Sequence, residues 1–275
     1  MPSATIAAAS QLLIRALKIS DSKRPRLGII LGSGLGDFAE TLTNSRRIPF
    51  SSLPDFPAST IEGHSGNFVL GELKETPIIC VQGRIHYYEG HAMSVVTHSV
   101  RLLAGLGIKY LVLTNAAGGI NRRLKPGDLM VVRDHISLFV PNPLIGPNDE
   151  KLGPRFPDMS EPYNKEFIKK AKEIAKQKNI DLKEGVYFCV TGPTFETHAE
   201  YKTVHVLGGD AVGMSTVQEV IVARHMNMKV FAMSVITDIG IRDDDNIITH
   251  EEVLQAAKEA EPKFSTIFRE LIAAL

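Results

Sequence analysis

The segment 83–91 reads GRIHYYEGH and sets Arg84 two residues from His86, so an extended backbone would send both side chains to one side. A guanidinium offers a rigid fork of donors that matches a phosphate edge, whereas an arginine with a structural duty more often pairs with a carboxylate on a helix. Tyr87 and Tyr88 add a ring and a hydroxyl, a surface on which a sugar can pack. A second candidate is IILGSGLGDF, residues 29–38, where an apolar run breaks into Gly32, Ser33, Gly34 and Gly36. It lacks the third glycine of a dinucleotide loop, and a nucleophile turn would separate the serine from each glycine by one residue. Two readings stay open: a nest of backbone amides with the Ser33 hydroxyl as an extra donor, or a plain strand-to-helix turn.

Further along, TNAAGGIN (114–121) follows a buried run with small residues, suited either to facing a ligand with a backbone amide or to tight packing under a helix. TGPTFETHAEY (191–201) supplies Phe195 and Glu196, a ring that stacks beside an acid that accepts, which suits the edge of a nucleobase. The acidic run RDDDN (242–246) lacks the spacing of a calcium loop and reads as a solvated connector, so no metal site is expected. Directly after it, Thr249 and Glu252 have capping-box spacing, which predicts a final helix with His250 at its first position.

These residues need a scaffold, and the apolar runs describe one. LGIILG, NFVLGEL, PIICVQG, YLVLTNAAGG, DLMVVRDHI, GVYFCVTG and MKVFAMSVITD have strand length, and helical patterns lie at 91–106, 163–178, 197–207, 216–227 and 250–274. The alternation predicts an α/β fold, a single domain over 1–275 with a sheet flanked by helices and most strands parallel and buried. Ligands of such sheets gather beyond the carboxyl ends of strands, which is where Ser33, Arg84, His86, Asn115–Gly119, Phe195, Glu196 and Asp238 are expected. The Pro-rich stretch 140–158 has no periodicity and reads as a long functional or interfacial loop.

Composition excludes several classes of partner. Lys plus Arg equals Asp plus Glu at 31 each among 275 residues, so there is no general electrostatic footprint for nucleic acid or an acidic membrane surface. No run approaches the ~18 apolar residues of a bilayer span, and residues 1–20 fit an amphipathic surface helix rather than an export signal. Cys80 and Cys189 lie in strand-like runs that favour buried, reduced thiols. A cytoplasmic protein is expected.

Taken together, GSGLG, GHSG, QGRIHYYEG, TNAAGG, GPTFET, GMSTVQEVIVARH and HEEVL resemble, in order and over nearly the whole chain, the motifs of the trimeric class of purine nucleoside phosphorylases. The resemblance implies a mixed central sheet, a homotrimer, and reversible cleavage of purine nucleosides by inorganic phosphate as a substrate, with no metal or organic cofactor. It implies a phosphate pocket of Ser33, Arg84, His86, the Ala116 amide and Ser215, with His64 close by. Ribose would meet Tyr88, Met214 and His250, with Phe156 donated by a neighbouring subunit, while Phe195, Glu196, Gly213 and Asp238 would surround the base. His86, Glu196 and Asp238 are the expected catalytic groups.

One departure bears on the substrate. Members of the family that prefer 6-oxopurines carry asparagine where this chain has Asp238, and an ionised carboxylate can only accept. Aspartate therefore favours a 6-amino group, whereas Glu196 suits the N1 hydrogen of a 6-oxopurine. Inosine and guanosine are the expected substrates, with adenosine admitted through Asp238, and crowding beside Glu196 is expected to raise the proton affinity of Asp238. A methylthioadenosine or methylthioinosine phosphorylase is the alternative, because that sister group shares the aspartate; His250 and Glu196 count against it.

Overall fold

Continuous aliphatic runs cannot face water, and in this chain they become strands covered on both faces. The computed structural model describes residues 3–54, 56–61, 63–241 and 248–273; the acidic run 242–246 lies outside the described residues. In chain order, α1 (Ser3–Ala16) precedes β1 (Leu27–Leu31), β2 (Thr43–Pro49), β3 (Asn67–Leu73) and β4 (Thr76–Gln82). Next come α2 (Met93–Val96), α3 (His98–Gly105), β5 (Tyr110–Gly119), β6 (Leu129–Ile136), α4 (Lys165–Gln177) and β7 (Leu182–Cys189). Then follow α5 (His198–Val206), β8 (Ala211–Gly213), α6 (Val217–His225), β9 (Lys229–Ile239) and α7 (His250–Ala273).

The strands form one mixed sheet in the order β2-β3-β4-β1-β5-β8-β7-β6-β9, and β9 also pairs with β5. That extra pairing closes β5, β8, β7, β6 and β9 into a barrel-like ring. The centre is parallel, β1 with β4 and β5, β5 with β9, and β6 and β8 with β7. Antiparallel pairs occur at the β2–β3–β4 edge and where β8 and β9 close the ring.

Every expected strand is present, and two further ones had no apolar run to mark them. β2 is TNSRRIP, an edge strand exposed along nearly its whole length, and β8 is only AVG. The helix expected over 91–106 is broken into α2 and α3 at Thr97, whose hydroxyl donates to the Met93 carbonyl at 3.0 Å while its backbone leaves helical geometry. Residues 141–158 contain no helix or strand.

Helices cover the sheet through apolar faces. α1 buries Ile6, Ala9 and Leu13, as its amphipathic spacing predicts. α7 starts with the expected capping box, Thr249 N–H donating to Glu252 and Glu252 N–H to the Thr249 hydroxyl, both at 3.2 Å. It then packs Phe264 and Phe268 edge-on against Phe38, with ring centroids 6.1 and 6.0 Å away. Burying a ring of this kind contributes about 1.5–3 kcal/mol, and this contact ties the last helix to the turn that follows β1. Cys80 and Cys189 are buried free thiols whose proton affinity burial raises, that of Cys189 to about 12. Among the described residues, no helix is long and apolar enough to cross a membrane.

Candidate active site

The ends of β1, β4 and β7 and the later halves of β5 and β9 open on one cleft of about 350 Å³. Of the residues singled out in the sequence, Ser33, Arg84, His86, Tyr88, Ala116, Phe195, Glu196, Gly213, Met214, Ser215, Asp238 and His250 all line it. His64 stands one layer back. Phe156 does not reach the cleft of its own chain; it is 87% exposed and borders a separate groove with Leu138, Ile145 and Met159.

The glycine turn that raised two readings has packing reasons for its glycines. A Cβ at Gly32 would stand 2.7 Å from the Thr114 carbonyl, because β1 and β5 converge there, and Gly34 combines φ 75° with close approach to Ala257 of α7. Ser33 is thereby held at the mouth, its hydroxyl 3.1 Å from His64 Nε2. His64 is fixed in turn by its Nδ1 against the backbone of Arg84, and its ring stacks on His86, which stacks on Tyr88.

Arg84 makes the structural pairing considered for it and still faces the cleft. It lines the cleft, and from behind it is gripped by Glu219 of α6 through Nε–Oε1 and Nη2–Oε2 contacts of 3.2 Å. Nη1 donates to the Thr114 carbonyl at 2.9 Å. With side-chain exposures of 2% and 3%, the pair is shielded from water. Three of five N–H groups are used, which leaves one on each terminal nitrogen for a ligand.

The imidazoles beside Arg84 are neutral near pH 7. Burial, then His86 and Arg84, push His64 down to about 3. Burial also lowers His86, with Arg84 adding to the effect and Glu89 opposing it. Burial raises Glu89, but the His86 ring 3.4 Å away and hydrogen bonds from the His86 backbone and Thr60 outweigh it and bring the carboxyl down to about 2. Imidazoles and hydroxyls beside the two unused guanidinium N–H groups give this side of the cleft hydrogen-bond donors of the kind an anion accepts from.

Ser215 arrives by way of a turn at Thr216, a residue at φ 73° and ψ −54°, where a β-branched side chain carries strain on the order of 1–3 kcal/mol. Asn115 Nδ2 donates to the Thr216 hydroxyl at 2.9 Å, and Ser215 Oγ lies 3.2 Å from the same oxygen.

The other side of the cleft carries two carboxylates. Asn115–Gly119 and Asp238 were expected beyond strand ends, but β5 and β9 continue through them. The pairing steps from Ala117–Ile236 to Gly118–Asp238, leaving Thr237 as a bulge that turns Asp238 into the cleft. Thr237 Oγ1 donates to Asp238 Oδ1 at 2.9 Å, and a Cβ on Gly118 would meet Asp238 Oδ2 at 3.1 Å. Glu196 precedes α5, and its Oε1 is buried without a hydrogen-bond partner. Burial, reinforced by Asp238 and Glu200 and opposed by hydrogen bonds from its own backbone and Tyr201, raises its proton affinity. Phe195 beside it is 43% exposed.

Sequence reasoning missed Glu219, Thr216, Glu89, Thr60, Ile61 and Tyr201. Thr216 and Glu219 have capping-box spacing, as do His86 and Glu89 in reduced form; that pattern could have marked a helix start, but nothing in it pointed to Arg84. Among the described residues, no three His, Cys, Asp or Glu side chains converge as metal ligands do.

Comparison with known proteins gives a consistent result. Residues 26–273 match the family described as the Phosphorylase superfamily. Purine nucleoside phosphorylase 1 of Geobacillus stearothermophilus is 47% identical over 248 residues, 90% of each chain. The crystal structure of Schistosoma mansoni purine nucleoside phosphorylase in complex with adenosine superposes with a TM-score of 0.92 at 37% identity, covering 100% of this chain and 99% of that one. The crystal structure of Schistosoma mansoni purine nucleoside phosphorylase in complex with inosine gives 0.91 at 35%, covering 100% of this chain and 98% of that one.

Proposed function

This chain belongs to the phosphorylase superfamily and, within it, to the purine nucleoside phosphorylases, which are pentosyltransferases, and we propose that phosphate and nucleoside meet in the cleft described above. The reaction is reversible phosphorolysis of purine ribo- and 2'-deoxyribonucleosides to free base and α-(deoxy)ribose 1-phosphate. One observation carries this reading: a guanidinium with hydroxyls and neutral imidazoles, and a pair of carboxylates, open on the same cleft.

In the proposed arrangement Ser33, Arg84, His86, the Ala116 amide and Ser215 hold phosphate, with His64 orienting Ser33. Tyr88, Met214 and His250 contact the sugar. Phe195, Glu196, Gly213 and Asp238 take the base. Phosphate is already an anion, so no general base is required; the protein holds the nucleophile at the anomeric carbon and helps the purine leave with its electron pair. The oxocarbenium-like centre forms between phosphate and base, and attack from the face opposite the base yields the α-product. Neither metal nor organic cofactor has a step to perform.

The carboxylate pair supports two classes of base. Ionised Glu196 accepts the N1 hydrogen of inosine or guanosine. Protonated Glu196 donates to N1 of adenosine, while ionised Asp238 accepts from the 6-amino group. The raised proton affinity of Glu196 supports turnover of adenosine beside the 6-oxopurines. The Schistosoma mansoni purine nucleoside phosphorylase structures in complex with adenosine and with inosine fit the same reading.

We further propose that the chain works as one catalytic domain in a cytoplasmic homotrimer. The exposure of Leu138, Phe139, Ile145 and Phe156 along one irregular segment supports an apolar face covered by a neighbour, which would bring Phe156 to the adjoining cleft. A coupled assay of inosine, guanosine, adenosine and methylthioadenosine, each with and without phosphate, tests the function. Phosphate-dependent release of base from the first three is expected. Turnover confined to methylthioadenosine would replace this reading with the sister activity.

A further inference from the structure

Among the described residues, the non-glycine positions with positive φ are Lys18, Asn44, Lys74, Glu75, Asn179 and Asn227, all exposed, and Thr216, which is buried. Thr216 is also the one β-branched residue of this set. Val217 N–H donates to the Ser215 carbonyl at 2.8 Å, which closes a three-residue γ-turn of the strained hand around it. A glycine would adopt this backbone freely, so the threonine must contribute through its side chain.

Its hydroxyl has neighbours on both sides. It accepts from Asn115 Nδ2 of β5 and lies against Ser215 Oγ, so it links the strand to the serine that faces the cleft. The same turn starts α6, and one helical turn later Glu219 makes its paired contact with Arg84. Strained backbone persists where its surroundings over-determine it, and such sites are concentrated at ligand clamps.

We infer that Thr216 is a positioning residue for the anion: its hydroxyl aims Ser215 Oγ into the cleft, and its turn seats α6 so that Glu219 holds the Arg84 fork in place. This rests on the assignment of phosphate to that side of the cleft. Thr216 itself does not line the cleft.

Three variants separate this role from general support of the fold. Thr216→Val keeps the branching and removes the hydroxyl, Thr216→Ser keeps the hydroxyl, and Thr216→Gly relaxes the backbone. For each, kcat and the KM values for phosphate and inosine are measured separately, alongside the thermal midpoint. Thr216→Val and Thr216→Gly are expected to raise the KM for phosphate about tenfold, the scale of one lost orienting hydrogen bond, while the KM for inosine stays within about twofold. Thr216→Ser restores the phosphate KM to within about twofold of the parent. An unchanged phosphate KM in Thr216→Val, or an equal rise in both KM values accompanied by a lower midpoint, overturns the inference. Failure of the parent enzyme to saturate with phosphate would instead remove the phosphate assignment on which the inference stands.

Discussion

Arg84 and Glu196 are both charged residues on the same cleft, but they are held in opposite ways. Arg84 is fixed by Glu219 and the Thr114 carbonyl, in a region where Ser33, His64 and His86 also constrain one another. Glu196 stands before a helix with one carboxylate oxygen buried and unpartnered, beside a half-exposed Phe195. The Arg84 side, proposed to take phosphate, is thus held by contacts within the chain, whereas on the side proposed to take the base Glu196 Oε1 is buried without a partner among the described residues. In the proposed reaction a small, invariant phosphate suits a rigid pocket, and purines that differ at position 6 suit a carboxyl group that can hold or release a proton.

The contrast is broken most severely at Arg84. Arg84→Met leaves Glu219 buried without its partner, and removing one member of such a pair destabilises by about 3–5 kcal/mol. Urea unfolding should register that loss, and phosphate-dependent turnover should fall by more than about a hundredfold. Equal stability in Arg84→Met would mean that the rigid side is not held as described.

A smaller effect is expected at Asp238. Asp238→Asn supplies a donor to oxygen 6 and removes the carboxylate facing the 6-amino group, so the ratio of kcat/KM for inosine over adenosine should rise by on the order of a hundredfold. An unchanged ratio would place Asp238 outside base recognition. The mildest test is pH. Because Glu196 has a raised proton affinity, its neutral form gains population as pH falls, and adenosine should gain on inosine in kcat/KM as the solution is acidified. A ratio independent of pH, measured after correction for the titration of phosphate itself, would assign the proton no part in substrate choice.

Much of this organisation was legible in the sequence where the signal was local. Apolar runs gave β1, β3–β7 and β9, because strands covered on both faces must be continuously hydrophobic. Thr249 and Glu252 marked the start of α7, since a capping box is a contact across three residues. β2 was hidden because an edge strand facing water needs no apolar residues, and β8 because three residues carry no period. The cleft residues were legible through motifs, but their supports were not. Glu219 lies 135 residues from Arg84, and Thr216 lies 101 from Asn115, so only the closed sheet brings each pair together. The bulge at Thr237 likewise depends on register between β5 and β9 rather than on any local signal.

In the proposed reaction the cleft lodges phosphate as the nucleophile against the sugar of a purine nucleoside. Phosphorus NMR of the enzyme turning over inosine in phosphate buffer tests it directly. A sugar 1-phosphate signal of α configuration is expected to grow in step with free hypoxanthine, with equal loss of inorganic phosphate. Hypoxanthine and free ribose appearing while the phosphate signal stays constant would contradict it.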